Sequence, residues 1–161
     1  MAGVISGCKA DDGALVWIGL RTRHRGRVQS VDQCEVQAGI GLVGDHAAGR
    51  HPLREVTLIT ETDLSFIAEA MGHSPEPFVL RRNLLLRCDP SRLHIGHAYH
   101  IGAAILRLTG PCAPCRRMLD TLGEPGFRAM RGHGGFTAQV IDGGPIRLGD
   151  RIAPRQLDLF D

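Results

Sequence analysis

Leu108-Thr109-Gly110-Pro111-Cys112-Ala113-Pro114-Cys115-Arg116-Arg117-Met118 carries the chain out of a strand, through a proline-stiffened turn, and sets a cysteine at the start of a helix. Ala104 to Thr109 supplies the strand, and the helix is predicted from Cys115 to Leu122, closed by Gly123. At a helix N-terminus the unpaired amides carry partial positive charge, and Arg116 and Arg117 add to it, so Cys115 is expected to favour thiolate over thiol. A thiolate there is a nucleophile or a metal ligand. Three other readings of the pair stay open. A zinc site usually needs two CxxC pairs or a close histidine pair, and His133 is the only histidine downstream. A thioredoxin-type couple would open a long helix after the first strand of a βαβ unit. Buried cysteines in a turn are the third.

Outward from this segment the pattern is one of short strands. Ala14 to Leu20 reads as a strand, followed by a basic turn, Arg21-Thr22-Arg23-His24-Arg25-Gly26-Arg27. Glu55 to Ile59 is a β-branched strand. Thr60 then caps a helix over Glu61 to Met71, with Leu64, Ile67 and Ala68 on one face and Gly72 ending it. Asn83–Arg87, Ala98–Ile101, Thr137–Ile141 and Ile146–Ile152 are predicted as further strands between glycine turns. The expected class is α+β with β dominating, a barrel-like domain with a few short helices.

Length and composition fit one such domain, residues 1–153, with a tail at 154–161. No apolar run reaches the ~18–20 residues of a membrane span, and Met1 to Ala10 lacks an export pattern, so a cytoplasmic protein without membrane partners is expected. Five cysteines, an odd and scattered set, argue against a disulfide scaffold. A net charge of +2 is too small to predict direct nucleic-acid binding. Lys9 is the only lysine; the other cations are arginines, whose planar forks suit phosphates and carboxylates.

Six segments in order carry a resemblance: Gly41-Leu42-Val43-Gly44-Asp45, Arg54-Glu55-Val56-Thr57-Leu58-Ile59, Arg81-Arg82-Asn83-Leu84-Leu85-Leu86, Leu93-His94-Ile95-Gly96, Gly110-Pro111-Cys112-Ala113-Pro114-Cys115 and Gly143-Gly144-Pro145-Ile146-Arg147-Leu148-Gly149-Asp150. Together, over about 41–152, they resemble the MOSC domain, named from the C-terminal domain of molybdenum cofactor sulfurases. The resemblance implies a β-barrel-like domain, a pocket for molybdenum cofactor (molybdopterin), and a cysteine that ligates molybdenum or carries sulfur as a persulfide. It also brings a family-level association with pyridoxal phosphate binding. By the same resemblance Cys115 is the catalytic and metal-ligating cysteine. Cys112 is either a resolving thiol or a small turn residue. Arg81, Arg82 and Asn83 match a segment associated with the cofactor, where guanidinium groups suit a phosphate and an amide suits a pterin edge; the alternative is a surface charge pair at a strand start.

Other positions are assigned structure first. Asp45 is expected to bond the glycine turn before it. Gly132-His133-Gly134-Gly135 resembles a glycine loop of the family whose amides could meet an anion. His46 and His51 are given no ligand role, and Cys8, Cys34 and Cys88 are expected to pack as small apolar residues.

Three functions are expected from the resemblance. A cofactor-bound reductase of N-hydroxylated compounds or bases would need an external electron donor, because the chain has neither a dinucleotide fingerprint nor cluster-type cysteine spacing. A sulfur carrier would be loaded by a separate cysteine desulfurase. An adaptor would be recruited through its tail, where Gln156-Leu157-Asp158-Leu159-Phe160 resembles the pentapeptide that binds the bacterial DNA sliding clamp. In that last case Gln156, Leu157, Leu159 and Phe160 are the contact residues; otherwise they fold back on the domain or pack in a dimer.

Overall fold

Alternation of period two builds the barrel wall. Along β8 (Ala104–Pro111) Ala104, Leu106 and Leu108 are buried inward while Arg107 is exposed. A computed structural model describes residues 13–23, 26–46 and 49–156. Its other strands are β1 (Gly13–Arg21), β2 (Val28–Val31), β3 (Gln33–Gln37), β4 (Gly41–Leu42), β5 (Val56–Thr60), β6 (Leu84–Arg87), β7 (Ala98–Ile101), β9 (Phe136–Asp142), β10 (Gly144–Arg147) and β11 (Arg151–Pro154). Two helices, α1 (Glu61–Met71) and α2 (Arg116–Met130), complete the described elements, together with short 3-10 turns at Pro77–Leu80 and Pro90–Arg92.

Strands β11-β7-β8-β9-β5-β6-β1 pair in that order, and β1 pairs back to β11, Gly13 with Ile152, so the sheet closes. Closure removes the exposed edges. Among the described strands only β5 and β6 run parallel, and α1 makes the crossover between them, as parallel neighbours require. β2 pairs with the far end of β1, and β10-β3-β4 form a small second sheet.

Two apolar layers follow from this arrangement. Leu15, Ile18, Leu58, Leu84, Leu86, Ile101, Leu106 and Leu108 fill the barrel. Ile59, Leu80 and Leu85 meet Ile67 of α1 and Met118, Leu122 and Met130 of α2 on the outside. β5 faces both layers, and all five of its residues are buried.

The helix signals at α1 hold in detail. Thr60 Oγ1 accepts the Asp63 N–H at 3.1 Å, and Gly72 ends the helix in the left-handed conformation. Such a cap contributes about 1 kcal/mol. At α2 the expected stop at Gly123 is a break, with φ 75° and ψ 175°, after which a second segment resumes with Pro125 near its start and runs to Met130.

The strand expected over Ile146–Ile152 is two strands. Arg147 N–H bonds Asp150 Oδ2 at 2.7 Å across a tight turn, with Ile146 paired to Cys34 in the small sheet and Ile152 to Gly13 in the barrel. Ile146 and Ile152 keep the same parity in sequence, but Asp150 interrupts the alternation between them and the two belong to different sheets. Among the described residues no helix is long and apolar enough to cross a membrane.

Candidate functional site

Asn83 sits just before β6 and is fully buried. Its Oδ1 accepts the Thr57 N–H at 3.1 Å and the Thr57 hydroxyl at 3.3 Å, while its Nδ2 donates to Gly19 O at 3.1 Å and Asp45 Oδ1 at 3.3 Å. All the hydrogen-bonding capacity of that amide is matched within the protein. Asp45 in turn receives Arg21: Oδ1 accepts the backbone N–H at 2.8 Å, and Oδ2 lies 2.9 Å from Nη2. One carboxylate thus ties the glycine turn, the end of β1 and the start of β6, which extends the turn-bonding role expected of Asp45.

Arg82 uses three of its five N–H groups within the protein. Its Nε donates to Gly134 O at 2.8 Å, Nη1 to Leu80 O at 3.1 Å and Nη2 to Cys112 O at 3.3 Å. The residue is buried, and its guanidinium staples the cysteine turn to the glycine loop after α2. Burial pushes its pKa down, the neighbouring Cys112 and Cys115 oppose that, and Arg21 and Arg54 lower it further. Arg81 adopts a left-handed conformation at φ 59° and donates from Nη1 to Gly26 O at 2.6 Å. Burial lowers its pKa too, followed by repulsion from Arg117 and Arg21, with Asp45 and Cys115 pulling the other way. Next to it, the Arg27 guanidinium lies over the Phe78 ring, 5.4 Å from its centroid.

Five arginines, at 21, 54, 81, 82 and 117, therefore share one electrostatic neighbourhood with Cys112 and Cys115. Arg21 is already paired with Asp45, and the repulsion between Arg81 and Arg117 favours an anion near those two. Cys115 is exposed and stands as the N-cap of α2, with no side-chain capping bond of its own. Cys112 is buried, and its N–H donates to Gly135 O at 2.9 Å. All four described cysteines are free thiols. Cys34 and Cys88 pack against the barrel core, and burial raises the pKa of both, that of Cys88 to about 11.

The glycine loop owes its composition to close packing. A Cβ on Gly134 would run into Cys112 O, and Gly135, at φ 87°, would place one against Leu58 O. The sequence singles out Arg81, Arg82, Asn83, Cys112 and Cys115, and the fold brings all five to one side of the barrel wall. Arg21, Arg54, Thr57 and Arg117 join them without having been given a site role; Arg54 and Thr57 belong to a segment that carries the resemblance, Arg117 to the cysteine segment, and Arg21 opens the basic turn. Gln156 is described and exposed, whereas Leu157, Leu159 and Phe160 lie outside the described residues. Among the described residues no three His, Cys, Asp or Glu come together as a metal-binding group.

Barrel, crossover helix and cysteine turn define a MOSC-class domain. The MOSC domain family model matches residues 45–153, and the chain belongs to that family. Among solved structures it is similar to the YUAD protein from Bacillus subtilis, with 18% identity over 91% of this chain and 97% of the other and a TM-score of 0.77. YiiM from Geobacillus stearothermophilus gives 15% identity over 89% and 75% of the two chains, TM-score 0.74. YiiM from Escherichia coli gives 16% over 90% and 71%, TM-score 0.68. No curated protein matches by sequence.

Proposed function

We propose that this MOSC domain holds molybdenum cofactor with Cys115 as the protein ligand of the metal, and reduces N-hydroxylated compounds with electrons from an external donor protein. The observation that carries the reading is the exposed Cys115 thiol at a helix start beside the arginine cluster. A single soft ligand among cationic groups suits a metal that arrives with its own sulfur ligands and a phosphate. When bound, the cofactor supplies two-electron chemistry at the substrate N–O bond.

The chain's own residues divide the remaining work. Arg81 and Arg117 offer positive charge to the cofactor phosphate. Arg82 and Asn83 act one step back, because their polar atoms are engaged within the protein: Arg82 fixes the cysteine turn and Asn83 fixes the wall beneath it. Asp45 holds Arg21 within the cluster. Metal analysis of the purified protein tests the reading. Stoichiometric molybdenum that is lost in Cys115→Ser, together with reduction of an N-hydroxylated base by a chemical electron donor, supports it.

A second reading is favoured by one observation, the buried Cys112 three residues before Cys115 and in the field of the same arginine. In that reading Cys115 carries a persulfide from a separate cysteine desulfurase, and Cys112 resolves it. Protein free of molybdenum with labile sulfur on Cys115 supports the carrier instead.

A further inference from the structure

Reducing an N–OH group consumes protons as well as electrons: an N-hydroxylated amine takes up two electrons and two protons and yields the amine and water. The arginines beside Cys115 keep their protons at neutral pH. A cysteine that ligates metal has already lost its own. A donor held in place for the departing oxygen is a different group from these.

His133 is built for that task. Its Nδ1 lies 2.8 Å from Asp63 Oδ1, and its ring stacks on Phe66 with centroids 3.8 Å apart and planes 21° from parallel. The Asp63 side chain is 8 % exposed and the His133 side chain 36 %. Thr60 holds Asp63 from behind through the helix cap. With Nδ1–H directed at the carboxylate, the tautomer and ring orientation are set, and Nε2 is left to exchange a proton.

The loop that carries His133 is also clamped to the cysteine turn. Gly135 O accepts the Cys112 N–H, and Arg82 bridges Gly134 O and Cys112 O. His133 directly precedes these two glycines, so the imidazole is tied through a short, rigid segment to the turn that presents Cys115.

We propose that His133, oriented by Asp63 and Phe66, donates the proton to the leaving hydroxyl. The inference rests on the reductase reading above. As the N–O bond breaks, two electrons from the external donor protein stay with nitrogen. The oxygen departs as water with the Nε2 proton of the His133 imidazolium, directly or through one water, leaving the ring as the Nδ1–H imidazole, and nitrogen takes the second proton from solvent. Solvent then reprotonates His133. The charged group the ring meets is Asp63 on α1; Arg82 reaches the loop at the next residue, Gly134, and Cys88 lies in the field of Asp63.

The test uses the molybdenum-loaded full chain with an N-hydroxylated base, comparing wild type with His133→Gln and Asp63→Asn. His133→Gln is expected to lower kcat at least about 100-fold, with KM and molybdenum content unchanged and the alkaline limb of the kcat profile lost. Asp63→Asn should lower kcat by less and move that limb. Independently of activity, long-range 1H–15N NMR of cofactor-free wild type should show His133 as the Nδ1–H tautomer. A His133→Gln enzyme with wild-type kcat and pH profile, or an Nε2–H tautomer in wild type, overturns the proposal and leaves the reductase reading standing. A loaded wild type that reduces no N-hydroxylated base overturns both.

Discussion

Replacing Arg82 with alanine removes three charged donors from the carbonyls of Gly134, Leu80 and Cys112. Hydrogen bonds to a charged group are worth about 1.5–3 kcal/mol each, so the gross loss is on the order of 4.5–9 kcal/mol. Against that, the variant no longer holds a guanidinium away from water, a penalty of several kcal/mol. The net destabilisation should be about 2–4 kcal/mol, or roughly 5–15 °C in Tm for a domain of this size. A side chain facing an open pocket would have left stability almost untouched; the staple geometry changes that expectation. Urea unfolding followed by circular dichroism measures the difference, with an unchanged m-value confirming that the folded state is otherwise intact. Arg82→Lys should recover only part, because a point charge cannot reach three acceptors at the angles a planar fork does. If Arg82→Ala unfolds within about 0.5 kcal/mol of wild type, the three bonds do not hold the cysteine turn and the reasoning is refuted.

Iodoacetamide should modify Cys115 before Cys34, Cys88 and Cys112, since it is the exposed thiol of the four; peptide mass spectrometry reads the order, and equal rates would contradict it. Cys88 supplies a pH dependence: burial holds its proton on in the folded state up to about 11, above the ordinary thiol range, so unfolding stability should fall between that range and about 11 as only the unfolded thiol ionises. Cys88→Ala should flatten that decline, and an identical slope in the variant would assign it elsewhere. For the tail, the purified chain should bind the bacterial sliding clamp with micromolar affinity and lose it when Leu159 and Phe160 are both alanine; no binding by the intact chain ends the recruitment reading.

Local signals in the sequence are reliable where the physics is local. Thr60 and Gly72 bracket α1 because capping depends on residues three or four apart, and the proline turn before Arg116 places Cys115 at the helix start for a similar reason. Arg82 and Asn83 show the opposite case. Their types and position are legible, but their partners Gly134, Cys112, Gly19 and Asp45 are brought to them only by barrel closure. A triplet that reads as groups aimed at a ligand is, in two of its three members, holding the wall. The division of Ile146–Ile152 is hidden likewise, since Ile146 and Ile152 keep the same parity in sequence although their strands belong to different sheets and Leu148 sits in the turn between them. His133 gives no signal of its pairing because Asp63 lies on a helix far upstream in sequence.

The seam between β1 and β11 has a consequence for how the protein is made. Nearly the whole described chain lies between Gly13 and Ile152, so a nascent polypeptide can form the β5-α1-β6 crossover and the β7–β8 hairpin while β1 still waits for its last neighbour. Until Ile152 emerges from the ribosome, β1 and β7 each present an open edge to other chains, the condition under which strands pair wrongly. Slowing synthesis would lengthen that exposure rather than help folding. Aggregation during expression should therefore respond to delays placed in the codons just before Arg151 more than to delays placed early in the message.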